Sequence, residues 1–195
     1  MAEVTMACAN ELDENIFLQA GGRFLRAYYR IVLQEKNSVV VLAVDDCDPD
    51  RVLGFVTGSL DAAASAEVLC RHKLTLAIAA LPAMLLRPSL LRRLRTRLRA
   101  TSSMNSAEEY VVGKGARAAF MAMLPEARAG GEGVFLFYHW LATMRALGAR
   151  EIRLEVDVAN ARVVAIHKRL GAAVIKEVVT PDGKARVFME YPAPT

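Results

Sequence analysis

The chain has 195 residues, of which 54% are apolar, with 25 Lys and Arg against 21 Asp and Glu. That length and apolar share suit one domain with a substantial core, spanning residues 1–195, and exclude a disordered chain. The three cysteines, Cys8, Cys47 and Cys70, are odd in number and lack paired spacing, which excludes a disulfide framework or a zinc site and points to a reducing, cytoplasmic setting.

The N-terminus has no basic segment followed by an apolar run, so no signal peptide is expected. No apolar stretch reaches the roughly twenty residues needed to cross a bilayer, because Pro82 and Arg87 interrupt the longest candidate. Asn10 or Asp13 is a candidate cap for a first helix, and Phe24 to Glu35 (FLRAYYRIVLQE) continues with helical apolar spacing. Ser38 to Val44 and Val52 to Ser59 read as two strands of a hairpin, joined through the acidic residues and Pro49 of Asp45 to Arg51.

A Leu- and Arg-rich excursion follows, about residues 62–109, and it is mostly helical in pattern. The net charge of +4 is concentrated there: residues 65–100 hold eight Lys or Arg against Glu67, giving +7 and leaving −3 on the rest of the chain. Within Ser89 to Ala100 (SLLRRLRTRLRA), Ser89 can act as N-cap and Leu90, Leu91, Leu94 and Leu98 share one helical face. Arg92, Arg93, Arg95, Arg97 and Arg99 would then form a cationic surface. That surface reads as a solvated helix face, as a grip on a phosphate-bearing substrate, or as a contact for anionic lipid, with Leu74 to Leu86 as an interfacial apolar element. Nucleic acid is not an expected partner, because the patch lacks aromatic residues on which bases could stack.

Ala116 to Leu124 is mostly apolar and bounded by Gly115 and Pro125, which predicts a buried strand. Arg128 to Gly133 then supplies glycines that let the backbone turn tightly and approach a ligand. Val134 to Leu147 has apolar residues at helical spacing and stops at Gly148. A glycine-rich turn opening a helix aims backbone N–H groups and the positive end of the helix dipole at one point, which suits a phosphate or pyrophosphate. A Walker-type loop is excluded, since Val134 and Phe135 stand where Lys and Ser or Thr are needed. The spacing of Gly130, Gly131 and Gly133 also fails the dinucleotide fingerprint. A strand at Glu151 to Val156, a short helix at Asn160 to Leu170 and a final strand pair complete the chain. That pair is Ala173 to Val179 and Arg186 to Tyr191, around Pro181, Asp182 and Gly183. No internal repeat is evident.

Met121 to Gly133 (MAMLPEARAGGEG) and Leu154 to Ala172 (LEVDVANARVVAIHKRLGA) resemble the two cofactor-binding motifs of the GNAT superfamily of N-acetyltransferases. Arg128, Gly131 and Gly133 match its R-x-x-G-x-G loop. Asn160, Leu170 and Gly171 match its second block, where His167 replaces the usual Tyr and Ala172 the usual Phe. The resemblance covers about 170 residues. It implies an α/β fold with a mixed, splayed sheet flanked by helices, the acyl-CoA N-acyltransferase fold, carrying the helical insertion before the fourth family strand. It also implies that acetyl-CoA is the cosubstrate, lying where the fourth and fifth family strands part, here near Met123 and Val156. No metal is expected.

On this resemblance Met123 and Leu124 are expected to pair with the pantetheine amides, which would satisfy backbone groups that a splayed sheet leaves unpaired. Arg128, Ala129, Gly130, Gly131, Gly133 and Val134 would cradle the pyrophosphate, and Asn160 would hold the pantetheine end. A backbone N–H near Met123 is the expected oxyanion donor. His167 would stand where the family Tyr serves the departing sulfur, and imidazole titrates near working pH, so it could act as acid or base. Glu155, Asp157, Glu108 and Glu109 are the candidate general bases, with Glu155 and Glu109 preferred, and a water chain is the alternative. Tyr28 and Tyr110 are candidate acceptor contacts. His72 and His139 have no motif support, and His139 is placed on the outer face of its helix.

The implied activity is acetyl transfer to a primary amine by direct attack. The insertion's arginines would suit a small acceptor such as a phosphorylated or nucleotide-linked amino sugar. A peptide amine or an antibiotic stays open, and a polyamine is disfavoured by the cationic wall. The rival reading is a non-catalytic acyl-CoA sensor or interaction module on the same fold. A homodimer and a membrane-surface contact through Leu74 to Arg99 stay open as further partners.

Overall fold

The computed structural model describes residues 1–8, 19–86, 115–179 and 185–193. Helices α1 (Ala2–Ala7) and α2 (Gly21–Gln34) lead into the hairpin β1 (Ser38–Val44) and β2 (Val52–Ser59). Two helices of the insertion follow, α3 (Ala62–Arg71) and α4 (Lys73–Leu86), then β3 (Ala116–Met123), a short 3₁₀ turn (Pro125–Ala127) and α5 (Glu132–Ala146). The chain closes with β4 (Ile152–Asp157), α6 (Ala161–Arg169), β5 (Ala173–Val179) and β6 (Ala185–Tyr191).

The strands form one six-stranded sheet in the order β1-β2-β3-β4-β6-β5. All neighbours are antiparallel except β3 and β4. Strand β2 is buried from Gly54 to Ser59, which is why its sequence shows no apolar and polar alternation: it is covered on both faces. On one face α5 and α6 enclose a core of Val56, Leu136, Phe137, Trp140, Met144, Leu154, Val187 and Met189. On the other, α1 and α2 bring Val4, Cys8, Leu25 and Tyr29 against Phe55 and Ala122.

Helix α5 is seated by Trp140, which is fully buried and donates its indole N–H to the Val39 carbonyl at 3.1 Å. The ring lies where a side chain on Gly58 would project, and a Cβ there would also stand 2.5 Å from the Arg117 carbonyl. Only glycine allows both approaches.

The strand positions agree with the sequence reading to within a residue at each end. Helix α5 starts earlier than the expected Val134, at Glu132, because Gly131 takes a left-handed φ of 88° and serves as its N-cap. Helix α1 was not expected from the sequence: its six residues are too few for a periodic signal. The cap candidates Asn10 and Asp13 lie outside the described residues, as do the Ser89 to Ala100 helix, the Glu108 to Tyr110 stretch and the Pro181 to Gly183 turn. Cys8, Cys47 and Cys70 are all free thiols.

Candidate cofactor cleft and acceptor face

Strands β3 and β4 pair only at Ala116 with Ile152 and Arg117 with Arg153. Beyond those two pairs they diverge, leaving a wedge that widens toward Met123 and Asp157. The hydrogen-bonding directions along its walls follow from the outer ladders. Leu124 donates its N–H to Leu53 at 2.8 Å, and the β2–β3 register then makes Ala122 with Phe55 and Phe120 with Thr57 the bonded pairs. Antiparallel pairs alternate, so the backbone N–H and C=O groups of Met121 and Met123 point away from β2, into the wedge. On the other wall Val158 donates to Ala185 at 2.9 Å, and the same alternation turns the backbone of Glu155 and Asp157 toward β3.

This arrangement refines the expected pantetheine contacts. The Leu124 amide is committed to Leu53. The Met123 carbonyl accepts the Arg128 Nε at 2.9 Å and the Cys8 thiol at 3.2 Å. What β3 offers the wedge is the Met123 amide and both backbone groups of Met121, a residue that sequence reasoning passed over. Finding it required the register, because β3 is bulged: Thr57 faces Phe120 but Gly58 faces Ala118, and Ala119 is the extra residue.

The glycine turn stands at the head of the wedge. Gly131 at its left-handed φ has open space around the position of a Cβ, and Gly133 lies against Met121 and Met123. The amides of Val134 and Phe135 are bonded to the Gly131 carbonyl, at 2.9 and 3.2 Å. Val134 thus contributes its N–H to the helix rather than to a ligand. Arg128 spends two donors internally, Nε on Met123 and Nη2 on the Cys8 sulfur at 3.3 Å, tying the N-terminal segment to the end of β3. Glu132 was also missed by the sequence reading. Its carboxylate accepts the Gly130 amide at 2.9 Å and so occupies the mouth of the turn. Asn160 is the N-cap of α6, its Oδ1 accepting the Val163 amide at 3.3 Å.

His167 projects from α6 into the core rather than into solvent: it is 7% exposed. Its Nδ1 lies 2.8 Å from the Tyr191 hydroxyl, and its ring meets Phe137 edge-on at 4.7 Å between centroids. Burial pulls the imidazole down to about 4 and pushes the Tyr191 hydroxyl up. The expectation that His167 titrates near working pH is therefore corrected, since desolvation disfavours the imidazolium and keeps the ring neutral. Tyr191 faces Ile152 in the β4–β6 ladder, at the closed end of the wedge.

Glu155 lies on the α2 side of the sheet and is held by two guanidinium groups, Arg117 at 3.0 Å and Arg186. Both its oxygens are engaged, so it links β3, β4 and β6 where the wedge begins. Next to it, a cavity of about 250 Å³ opens between α2, α3 and the sheet, with Tyr28, Glu35, Thr57, Arg117 and Ala119 in its lining. Tyr28 thus does line a cavity on this face. Glu109 lies outside the described residues. His139 is exposed on α5 and His72 is exposed at the end of α3. Among the described residues no cluster of His, Cys, Asp and Glu could hold a metal ion.

No protein-family model matches the sequence, and no curated protein matches it. Solved structures do match in fold. The ribosomal-protein-S18-alanine N-acetyltransferase from Escherichia coli aligns over 88% of this chain and 77% of its own, with a TM-score of 0.52 and 13% identity. A chain of the NatC complex bound to Gag peptide and CoA aligns over 87% of this chain and 80% of its own, with a TM-score of 0.52 and 12% identity. NAA60 of Arabidopsis thaliana in complex with a bisubstrate analogue aligns over 84% and 80%, with a TM-score of 0.51 and 13% identity. At such identities the likeness is one of fold. The chain has the acyl-CoA N-acyltransferase fold of the GNAT superfamily, with a splayed mixed sheet.

Proposed function

On this fold, we propose that the protein is an acetyl-CoA-dependent N-acetyltransferase. The observation that carries the proposal is the wedge itself. Two parallel strands separate after two pairs, the Met121 and Met123 backbone points into the gap, and a left-handed glycine turn stands at its head. Unpaired strand edges are costly inside a protein unless a ligand satisfies them, and an amide-bearing arm ending in a pyrophosphate fits both features. A thioester supplies an electrophilic carbon and a thiolate leaving group.

The residues then divide the work. Met121 and the Met123 amide pair with the pantetheine arm, and the Met121 amide, further from the glycine turn, is the donor for a developing oxyanion. Ala129, Gly130, Gly131 and Gly133 receive the pyrophosphate, with Arg128 bracing the turn from behind. Neutral His167 and the Tyr191 hydroxyl form a buried relay at the closed end, able to pass a proton to a departing sulfur without holding a charge. The amine enters from the α2 side, through the cavity beside Tyr28 and Arg117. The basic composition of residues 65–100 supports an acceptor with a phosphate or nucleotide group, such as a linked amino sugar. A reducing cytoplasmic setting belongs to the same proposal, consistent with three free thiols.

A second reading is favoured by two facts: His167 is buried and neutral, and Glu155 has both oxygens taken by arginines. Together they describe a cleft able to bind acetyl-CoA in which neither group is placed to take a proton from an amine, a non-catalytic sensor. Release of CoA thiol from acetyl-CoA across a panel of amines, including nucleotide-linked amino sugars, separates the two. Thiol release with any amine supports the transferase; cofactor binding without release from every amine supports the sensor.

A further inference from the structure

Helix α4 presents an outer face without charge. Its inner side packs toward α2, with Ala80 buried and Ala83 against Gly21. Its outer side carries Leu74, Ile78, Leu81 and Leu85, which are 71%, 67%, 49% and 79% exposed. Their spacing places them along one stripe of the helix, and Leu86 at its end is also exposed. Between Lys73 and Arg87 the sequence has no ionisable residue. A soluble helix ordinarily turns its polar residues outward, and a contiguous apolar stripe marks a surface that meets something apolar.

The ends of the stripe identify the partner. Arg71 and Lys73 stand exposed at one end, and the sequence leaving the other end carries six arginines between Arg87 and Arg99. An apolar stripe beside exposed cations, in a segment of the sequence with a net charge of +7, matches a lipid bilayer of anionic headgroups, where the stripe meets acyl chains and Arg71 and Lys73 meet phosphates. A second copy of the chain fits less well, because it would bring the same +7 segment against its own like. Among the described residues no single helix is long and apolar enough to cross a membrane. At 14 residues α4 is about 21 Å long, shorter than a hydrocarbon core, and the 67° bend between α3 and α4 prevents the pair from acting as one rod.

We propose that the outer face of α4 lies in the surface of an anionic membrane and holds the protein there as a peripheral attachment. The attachment is independent of the acetyl-transfer reading, since α4 lines neither the wedge nor the glycine turn.

The test is cosedimentation of the full chain with vesicles of phosphatidylcholine alone and of phosphatidylcholine mixed with phosphatidylserine. The expected result is at least tenfold stronger partition onto the mixed vesicles, lost in a Leu74→Gln, Ile78→Gln, Leu85→Gln triple variant. No partition of the wild-type chain, or undiminished partition of the triple variant, would overturn the proposal. Because the triple variant can fail to fold, an Ile78→Trp chain provides a second readout. The native Trp140 is fully buried, so the added indole reports on the stripe. Its emission should shift to the blue with mixed vesicles. No shift, or a shift produced by raising protein concentration without vesicles, overturns it.

Discussion

The Glu132 carboxylate accepts the backbone amide of Gly130 at 2.9 Å, so the turn that opens α5 already holds an anion of its own. A phosphate arriving at that turn meets a like charge and has to displace it. In water, two unit charges about 4 Å apart interact by about 1 kcal/mol. Glu132→Gln should therefore tighten acetyl-CoA binding roughly fivefold at low salt, an advantage that shrinks as salt is raised. Calorimetric titration of the two proteins at low and high ionic strength measures it; weaker binding by the Gln variant would mean that Glu132 supports the turn more than it opposes the ligand.

The neutral state of His167 has a consequence for stability. An unfolded histidine takes its proton near pH 6.5, but the buried ring does so only at about 4. Between those values the unfolded chain binds more protons than the folded one, so stability falls as pH drops through that window. The shift corresponds to roughly 3 kcal/mol when the window has been crossed. Denaturant unfolding from pH 7 to pH 4 should show this slope, and His167→Gln should flatten it. In a catalytic role, His167→Ala should lower turnover more than acetyl-CoA affinity.

Glu155 can be a structural link or a base, and one variant distinguishes them. Its ties to Arg117 and Arg186 join three strands at the start of the wedge. Glu155→Gln removes a counter-charge shared by two partly buried guanidinium groups, which should destabilise the fold by about 1–3 kcal/mol. A lower melting temperature with little change in turnover is the expected result. A large loss of turnover at unchanged melting temperature would make it the base.

Gly58→Ala tests the packing that seats α5. The added methyl would meet the Trp140 ring and the Arg117 carbonyl, so the helix would have to shift. A loss of about 1–3 kcal/mol is expected in thermal or denaturant unfolding.

Most of the fold was legible because its signals are local. Apolar runs ended by glycine or proline marked β3 and α5, and the charged turn at residues 45–51 marked the first hairpin. The glycine turn was legible both from its own residues and through the family resemblance, and the role of Asn160 through the resemblance alone. Most of what escaped depends on pairs distant in sequence. The direction of the Met121 backbone follows from which β2 residue bonds to which β3 residue, and the bulge at Ala119 breaks the simple alternation that would have predicted it. The low titration of His167 comes from its enclosure by Phe137 and Tyr191, the latter 24 residues away. The two arginines on Glu155 come from β3 and β6, which no spacing rule connects.

The central claim is that the wedge and its glycine turn form an acetyl-CoA site. Calorimetric titration of the protein and of Gly131→Glu with acetyl-CoA tests it most directly. At a φ of 88° the substitution strains the turn and places a charged side chain at its mouth. The prediction is a saturable one-to-one heat for the native chain and at least tenfold weaker binding for the variant at a matched far-ultraviolet spectrum. Equal affinity in the two would contradict the turn's role, and no heat with the native chain would contradict the site itself.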